Sequence, residues 1–128
     1  MSSSITLEKL RARLASPGDQ SQLVIEDQDL RDWCFVDADL IGVNLINCDL
    51  SGCDLARADL AYGHHALSRF RNANLTGVQL AKASFVEGDL SGTCLSGAKA
   101  IRTDFEDAVM RGADLSGTRA VQRCRRLH

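Results

Sequence analysis

The chain has 128 residues, of which 45 % are hydrophobic, 25 % charged and only 5 % aromatic, with a formal net charge of −2. This length allows one domain with a modest core, and the few aromatic residues argue against a core built from large rings. Because the chain shows no signal peptide and no apolar stretch near the ~20 residues that span a bilayer, we expect a cytoplasmic protein without membrane contact, while non-classical secretion stays open.

The first predicted element is a helix within residues 1–22, in the segment TLEKLRARLASPG. Thr6 can cap its start, and Pro17 with Gly18 ends it. Three leucines share one face of this helix: Leu7, Leu10 and Leu14. Since about ten residues alone are marginal as a helix in water, we expect the leucine face to cover the open end of the structure that follows.

Residues 23–121 repeat with a period of five. Eighteen of the nineteen positions divisible by five between 25 and 115 are apolar, and His65 is the exception. A second column, two residues before each of these centres, holds only small or medium residues over 38–118. Glycine often stands two residues after a centre, where a turn needs positive φ: Gly42, Gly52, Gly77, Gly92, Gly97, Gly112 and Gly117.

A period of five fits neither a helix nor a simple strand. It fits a chain that turns a corner every five residues, with the centre and the residue two before it pointing inward. Four corners close a coil of twenty residues, and coils stacked about 4.8 Å apart would number roughly five over residues 23–121. The aspartates that recur just before the centres then serve the corners through hydrogen bonds rather than acid–base chemistry.

The repeat resembles that of the pentapeptide-repeat family, written A-(D/N)-L-X-X. It stands here as ADLIG, CDLSG, CDLAR, ADLAY, ANLTG, GDLSG and ADLSG. The resemblance implies an all-β solenoid, a right-handed quadrilateral β-helix of about five coils behind a short N-terminal capping α-helix. Gln28 and Trp33 depart from the motif, which predicts an irregular first coil. Residues 122–128 remain as a basic C-terminal tail.

His65 takes an inward position, and two hypotheses compete for it. One is a metal or proton site. The other, which we favour because no second ligand type stacks nearby, is a neutral core imidazole bonded to the backbone, or a bulge that lets Leu67 fill the space. Cys48 and Cys53 fall in the inward column of small residues, where a thiol behaves as a small apolar group. No metal site is predicted.

Motifs for enzyme chemistry are missing from the sequence. It has no nucleophile elbow, P-loop, HExxH or glycine-rich phosphate fingerprint. We therefore predict no catalytic residues and no cofactor, and a protein that is not an enzyme.

Exposed apolar residues in a row predict a partner-binding surface. Such a row lies just after the centres of one side, beside a tyrosine: Ile41, Tyr62, Ile101 and Val121. We therefore predict a rigid protein–protein interaction module for a protein partner of unknown identity. A second candidate docking surface is the acidic one of the N-terminal coils: Asp29, Asp37, Asp39, Asp49, Asp54 and Asp59.

The family resemblance raises an alternative, because some members protect or inhibit DNA gyrase by imitating the charge and shape of duplex DNA. Duplex DNA carries one charge per ~1.7 Å, so a rod of about 24 Å needs about fourteen. Residues 23–120 hold fifteen acids and nine bases, a net of −6, so gyrase binding ranks second. An effector or accessory protein of a bacterial secretion system ranks third. Direct nucleic-acid binding is disfavoured, because no aromatic platform accompanies the basic tail.

The C-terminal end of the predicted solenoid lacks a helix to cover it. Its last coil offers four inward residues: Ala100, Met110, Leu115 and Ala120. We expect two chains to meet end to end through this coil as a two-fold homodimer, which is also what the resemblance implies.

Overall fold

The computed structural model describes residues 2–16, 18–19 and 21–119. It contains helix α1 (Ser2–Leu14) and strands β1 (Leu23–Glu26) and β2 (Val43–Ile46). The predicted helix stop at Pro17, the partner-surface residue Val121, the dimer-end residue Ala120 and the basic tail lie outside the described residues.

Strands β1 and β2 pair in parallel, with each residue opposite the one twenty positions later, from Leu23 with Val43 to Glu26 with Ile46. Isolated parallel bridges continue with the same offset as far as residue 119. The predicted solenoid of twenty-residue coils is therefore confirmed. Regular strands are few because each side runs only about three residues between corners, which leaves room for a single bridge per coil.

We number the four sides by their inward centres. Side 1 has Ile25, Leu45, His65, Phe85 and Phe105; side 2 has Leu30, Leu50, Phe70, Leu90 and Met110; side 3 has Phe35, Leu55, Leu75, Leu95 and Leu115; side 4 has Leu40, Leu60, Leu80 and Ala100. All of these side chains are at most 9 % exposed except Leu115, which is 45 % exposed. One column of buried side chains thus lines each side of the rod.

The corners are β-turns in which the residue two after the centre is left-handed. Of the nineteen described corner positions over 27–117, eighteen have positive φ and Asp32 does not. The predicted glycine positions all conform. A Cβ added at Gly92 would lie 2.2 Å from Asn72 Oδ1, so that glycine also provides space.

The recurrent aspartates hold these corners, as predicted. The amides of Ser51 and Ser91 donate to Asp49 Oδ1 and Asp89 Oδ1, each at 3.0 Å. A side-chain oxygen that accepts an amide two residues later is the Asx-turn geometry, which explains why Asp recurs at this place.

Helix α1 packs on the N-terminal coil through the predicted face. Leu10 is fully buried in the same apolar cluster as the solenoid centres, and Leu7 and Leu14 are half-buried against it. The prediction that Thr6 caps the helix is wrong, because the helix begins at Ser2. Residues 2–5 contain no proline or glycine to interrupt it.

An arginine, which the sequence did not single out, attaches the end of α1 to the solenoid. Arg13 is only 4 % exposed. Its guanidinium donates to the Ser21 carbonyl at 2.7 Å and to the Ile41 carbonyl. Close by, Arg11 lies 4.8 Å over the ring of Trp33, at the first-coil corner where Asp32 departs from the left-handed series.

Candidate protein-binding surface

His65 is fully buried on side 1. The amide of Leu45 donates to its Nδ1 atom at 3.2 Å, so the neutral ring carries its proton on Nε2. Nε2 has no hydrogen-bond partner among the described residues. Burial lowers the pKa of His65 to about 3, against a smaller opposing effect of the Leu60 backbone. The imidazole is therefore a neutral core group bonded to the backbone, and the alternative, a bulge that lets Leu67 fill the space, is wrong because Leu67 is 51 % exposed.

The reason for a histidine here is a local opening of the parallel ladder. In a regular coil the Leu60 amide donates to the carbonyl of Gln79 at 2.8 Å. At the equivalent place on side 1 of the same coil, the Leu45 amide donates to the His65 ring instead. Likewise the amide of His64 donates to Asn44 Oδ1 at 2.8 Å. Side chains thus take over hydrogen bonds that backbone carbonyls accept elsewhere.

At the adjoining corner, Ser68 also replaces a direct hydrogen bond between two backbone groups. Its hydroxyl accepts from the Cys48 amide at 3.0 Å and donates to the Leu45 carbonyl. In the next corner the corresponding amide of Cys53 donates directly to the carbonyl of Leu50 at 3.0 Å. His65, Asn44 and Ser68 thus supply hydrogen bonds to backbone groups that the parallel ladder leaves open here.

We expect Ser68→Ala to lower the free energy of unfolding by about 2–3 kcal/mol, because it leaves a buried amide and a buried carbonyl without their partner. Urea denaturation measures the loss. Ser96→Ala, at a partly exposed corner position, is the matched control and should change stability by less than about 0.5 kcal/mol. Equal effects of the two variants would contradict the bridging role of Ser68.

Other side chains that could bind a metal or act as a nucleophile do not cluster in the part of the chain that the structure describes. Among residues 2–16, 18–19 and 21–119, no group of three or more His, Cys, Asp or Glu could hold a metal ion. Cys48 and Cys53 are buried, and burial raises the pKa of the Cys53 thiol to about 11, which disfavours the nucleophilic thiolate. No helix in the described part of the chain is long and apolar enough to cross a membrane.

Arginines pair with half of the predicted acidic surface. Arg31 lies 2.7 Å from Asp29 and 3.6 Å from Asp49, and Arg57 lies 2.8 Å from Asp37. The hydrogen bonds from Arg31 lower the pKa of Asp29 to about 2. Three carboxylates instead accept amide hydrogens: Asp39 from Gly18 and Ile41, Asp54 from Ala56 and Asn74, and Asp59 from Ala61. The N-terminal coils therefore present less free negative charge than their composition indicates.

The predicted apolar row is only partly exposed. Tyr62 and Ile101 are 54 % and 42 % exposed. Ile41 is half-buried, and its carbonyl accepts a hydrogen bond from Arg13. Between them Ala61 is buried. The predicted row is therefore exposed at Tyr62 and at Ile101, and not along its whole length.

Two bulky apolar residues occupy the left-handed corners at the two ends of side 1 in one coil. Tyr62 has φ +65° and Leu67 has φ +62°, and all other left-handed corners over 27–117 hold glycine, amide or charged residues. Both flank side 1, with the exposed His64 between them. We call Tyr62, His64 and Leu67 the Tyr62–Leu67 surface. Sequence reasoning missed that Leu67 matches Tyr62 across one side.

The predicted dimer end is exposed only in part. Ala100 is buried at 1 % and Met110 at 9 %, while Leu115 is 45 % exposed at the last described coil.

A closed stack of twenty-residue parallel coils, with one five-residue repeat on each side, defines a repeat β-solenoid. A model of pentapeptide repeats matches residues 34–62, 68–99 and 95–122 in eight copies. The chain belongs to the pentapeptide-repeat family. No curated protein matches it significantly.

Solved structures agree on the fold. A pentapeptide repeat protein (Rfr23) from the cyanobacterium Cyanothece 51142 is 18 % identical over 94 % of this chain and 96 % of that one, with a TM-score of 0.78. A pentapeptide repeat protein of the Arabidopsis thaliana thylakoid lumen is 26 % identical over 62 % of this chain and 55 % of that one, with a TM-score of 0.60. QnrB1, a plasmid-mediated fluoroquinolone resistance protein, is 19 % identical over 78 % of this chain and 64 % of that one, with a TM-score of only 0.35.

Proposed function

We propose that the chain is a non-enzymatic protein-binding module that docks a protein partner through the Tyr62–Leu67 surface. The observation that carries this proposal is the conformation of its two corner residues. A left-handed backbone costs a residue with a Cβ about 1–2 kcal/mol. Both side chains are more than half exposed, so burial within the chain returns little of that cost. A partner that covers the two side chains would supply the missing burial.

The surroundings of this surface indicate the chemistry of the partner. Lys82, one coil further along the column of Tyr62, lies 5.6 Å over the tyrosine ring. Glu87 occupies the same place relative to Leu67. A fitting segment would place apolar side chains on Tyr62 and Leu67, an acidic group near Lys82 and a basic group near Glu87. Ile101 extends the surface beyond Lys82.

The test is binding by matched variants. The double variant Tyr62→Asn with Leu67→Asn should lose a partner that the wild type captures by crosslinking, and should lose its affinity for that partner after purification. The control, Arg102→Asn with Asp107→Asn, changes the same two columns two coils away and should bind with at most a modest loss. A partner held equally well by both double variants would contradict the proposal.

Leu67→Asn alone should raise the free energy of unfolding by about 1 kcal/mol, because asparagine tolerates positive φ better than leucine. The urea midpoint should rise with an unchanged slope. Glu87→Asn, at the equivalent corner, should gain less. A loss of stability in Leu67→Asn would show that the leucine side chain contributes packing within the chain and would remove the argument from strain.

Gyrase binding by imitation of DNA is the second proposal. It is supported by the net charge of −7 over residues 23–62, with nine acids and two bases. The ion pairs of Asp29, Asp37 and Asp49 weaken it. We expect no inhibition of gyrase supercoiling at micromolar protein, and clear inhibition would place this proposal first.

Two further proposals concern the ends of the rod. Helix α1 caps the N-terminal end, supported by the burial of Leu10. Two chains meet end to end at the C-terminal coil, supported by the exposed Leu115. A monomeric mass at micromolar concentration in light scattering would contradict the second.

A further inference from the structure

Side 4 carries an outward column whose charge reverses along the rod. Parallel bridges join each member to the next, so the five side chains form one continuous line. At about 4.8 Å per step the line is about 19 Å long. It passes from two acids through a neutral amide to two bases: Asp39, Asp59, Gln79, Lys99 and Arg119.

On side 2 and at the corner of side 3, outward charges pair within the chain: Arg31 with Asp29 and Arg57 with Asp37. On side 4, Asp59 and Lys99 have no ion pair within 4 Å in the part of the chain that the structure describes, and neither has Arg119. Instead like charges are stacked on neighbouring coils, acid on acid and base on base. Such pairs are unfavourable in a sheet.

We propose that side 4 binds side 4 of a second copy of this chain, with the two rods antiparallel. A two-fold axis across the rod at Gln79 places Lys99 of the second copy opposite Asp59. It also places Arg119 of the second copy opposite Asp39. Each contact then occurs twice, which is the signature of an isologous interface. The two Gln79 amides meet on the axis, where each can donate to and accept from the other.

The column beside this one fits the same axis sterically. It contains Ala61, Ala81 and Ile101, and the axis at Gln79 passes close to Ala81. Ile101, 42 % exposed, would then rest on the nearly flat surface at Ala61 of the second copy. Small residues at the centre allow the two sides to approach closely. A parallel arrangement of the rods would instead bring Asp39 onto Asp39 and Arg119 onto Arg119.

One side of so short a rod is small for a permanent dimer. Interfaces below the usual size belong mostly to weak and transient complexes. We therefore expect a reversible dimer with a Kd on the order of 10–100 μM at low salt. Because the four ion pairs are at the surface, salt should weaken it strongly.

The experiment is sedimentation equilibrium of the full chain at 10–500 μM protein, in 25 mM and 300 mM salt. The wild type should dimerise at low salt, and the Kd should rise at least tenfold at high salt. Lys99→Asp should be monomeric, and so should Asp59→Lys, because each puts two like pairs in the interface. An equimolar mixture of these two variants should dimerise again, because every facing pair is then of opposite charge.

Controls separate this contact from loss of folding and from the end-to-end dimer. Asp59→Asn keeps the oxygen that accepts the Ala61 amide, so it should keep the wild-type Tm while weakening the dimer several-fold. A wild type that stays monomeric at 500 μM in low salt would overturn the proposal. So would a dimer that Lys99→Asp leaves unchanged and Leu115→Asp abolishes, because that dimer would use the C-terminal end.

Discussion

Lowering the pH from 7 to 4 should cost the wild type about 2–4 kcal/mol more unfolding free energy than it costs His65→Leu. The pKa of His65 is about 3 in the folded chain and near 6.5 when the chain unfolds. Between these values the unfolded state binds a proton that the folded state excludes. The contribution of the neutral His65 to the free energy of unfolding is therefore fully present above pH 6.5, and it is lost as the pH falls towards 3.

Geometry gives the same sign independently of any titration. His65 Nδ1 accepts the Leu45 amide. Protonation would place a hydrogen on that atom, turning the hydrogen bond into a clash of two donors. The added charge would also lie beside Phe85, whose ring centroid is 5.1 Å from that of the imidazole, in an apolar core. The folded state must therefore lose stability before it accepts the proton.

The measurement is a set of urea midpoints from pH 7 to 4 for the wild type, His65→Leu and His64→Gln. At pH 7 His65→Leu should already be about 1–3 kcal/mol less stable, since the Leu45 amide loses its acceptor. Its curve should then be flatter than that of the wild type. His64→Gln changes the exposed neighbour and should retain the wild-type slope. Parallel curves for the wild type and His65→Leu would exclude His65 as the source of acid sensitivity.

The five-residue period was sufficient to predict the solenoid because every repeat makes the same contacts. Leu50 and Leu55 sit in equivalent places, so one rule assigns both. The corner aspartates and glycines follow from the same rule, as Asp49 with Gly52 shows. Gross architecture in a repeat protein is thus a nearest-neighbour property that the sequence repeats many times.

The candidate site and the attachment of the helix depend on single residues that depart from the repeat, and periodicity does not predict the contacts of such residues. Nothing in the spacing shows that Ser68 and His65 repair the same opening, because their partners are backbone atoms twenty residues or more away. Arg13 could not be anticipated either, since an arginine in the last turn of a helix ordinarily faces solvent. The left-handed strain of Leu67 had a readable signal, a bulky residue where other repeats have glycine or a polar residue.

A large loss of stability from a single truncation should come from Leu10→Ala. Leu10 is fully buried, although it lies in a helix that contributes no backbone bridge to the coils. Truncation of a buried leucine to alanine costs about 2–5 kcal/mol through lost transfer energy and the cavity left behind. We expect a loss in this range, because the helix has no other fully buried leucine to hold it.

The single tryptophan distinguishes the undocking of helix α1 from the unfolding of the coils. Trp33 lies under Arg11 of the helix, so its fluorescence reports whether α1 is docked, whereas far-ultraviolet circular dichroism reports the coils. In the wild type the two unfolding curves should coincide. In Leu10→Ala the fluorescence change should come first, because the helix separates while the coils stay paired. Glu8→Ala, at an exposed position of the same helix, should leave both curves together. Coincident curves in Leu10→Ala, shifted by less than about 1 kcal/mol, would show that α1 does not close the rod.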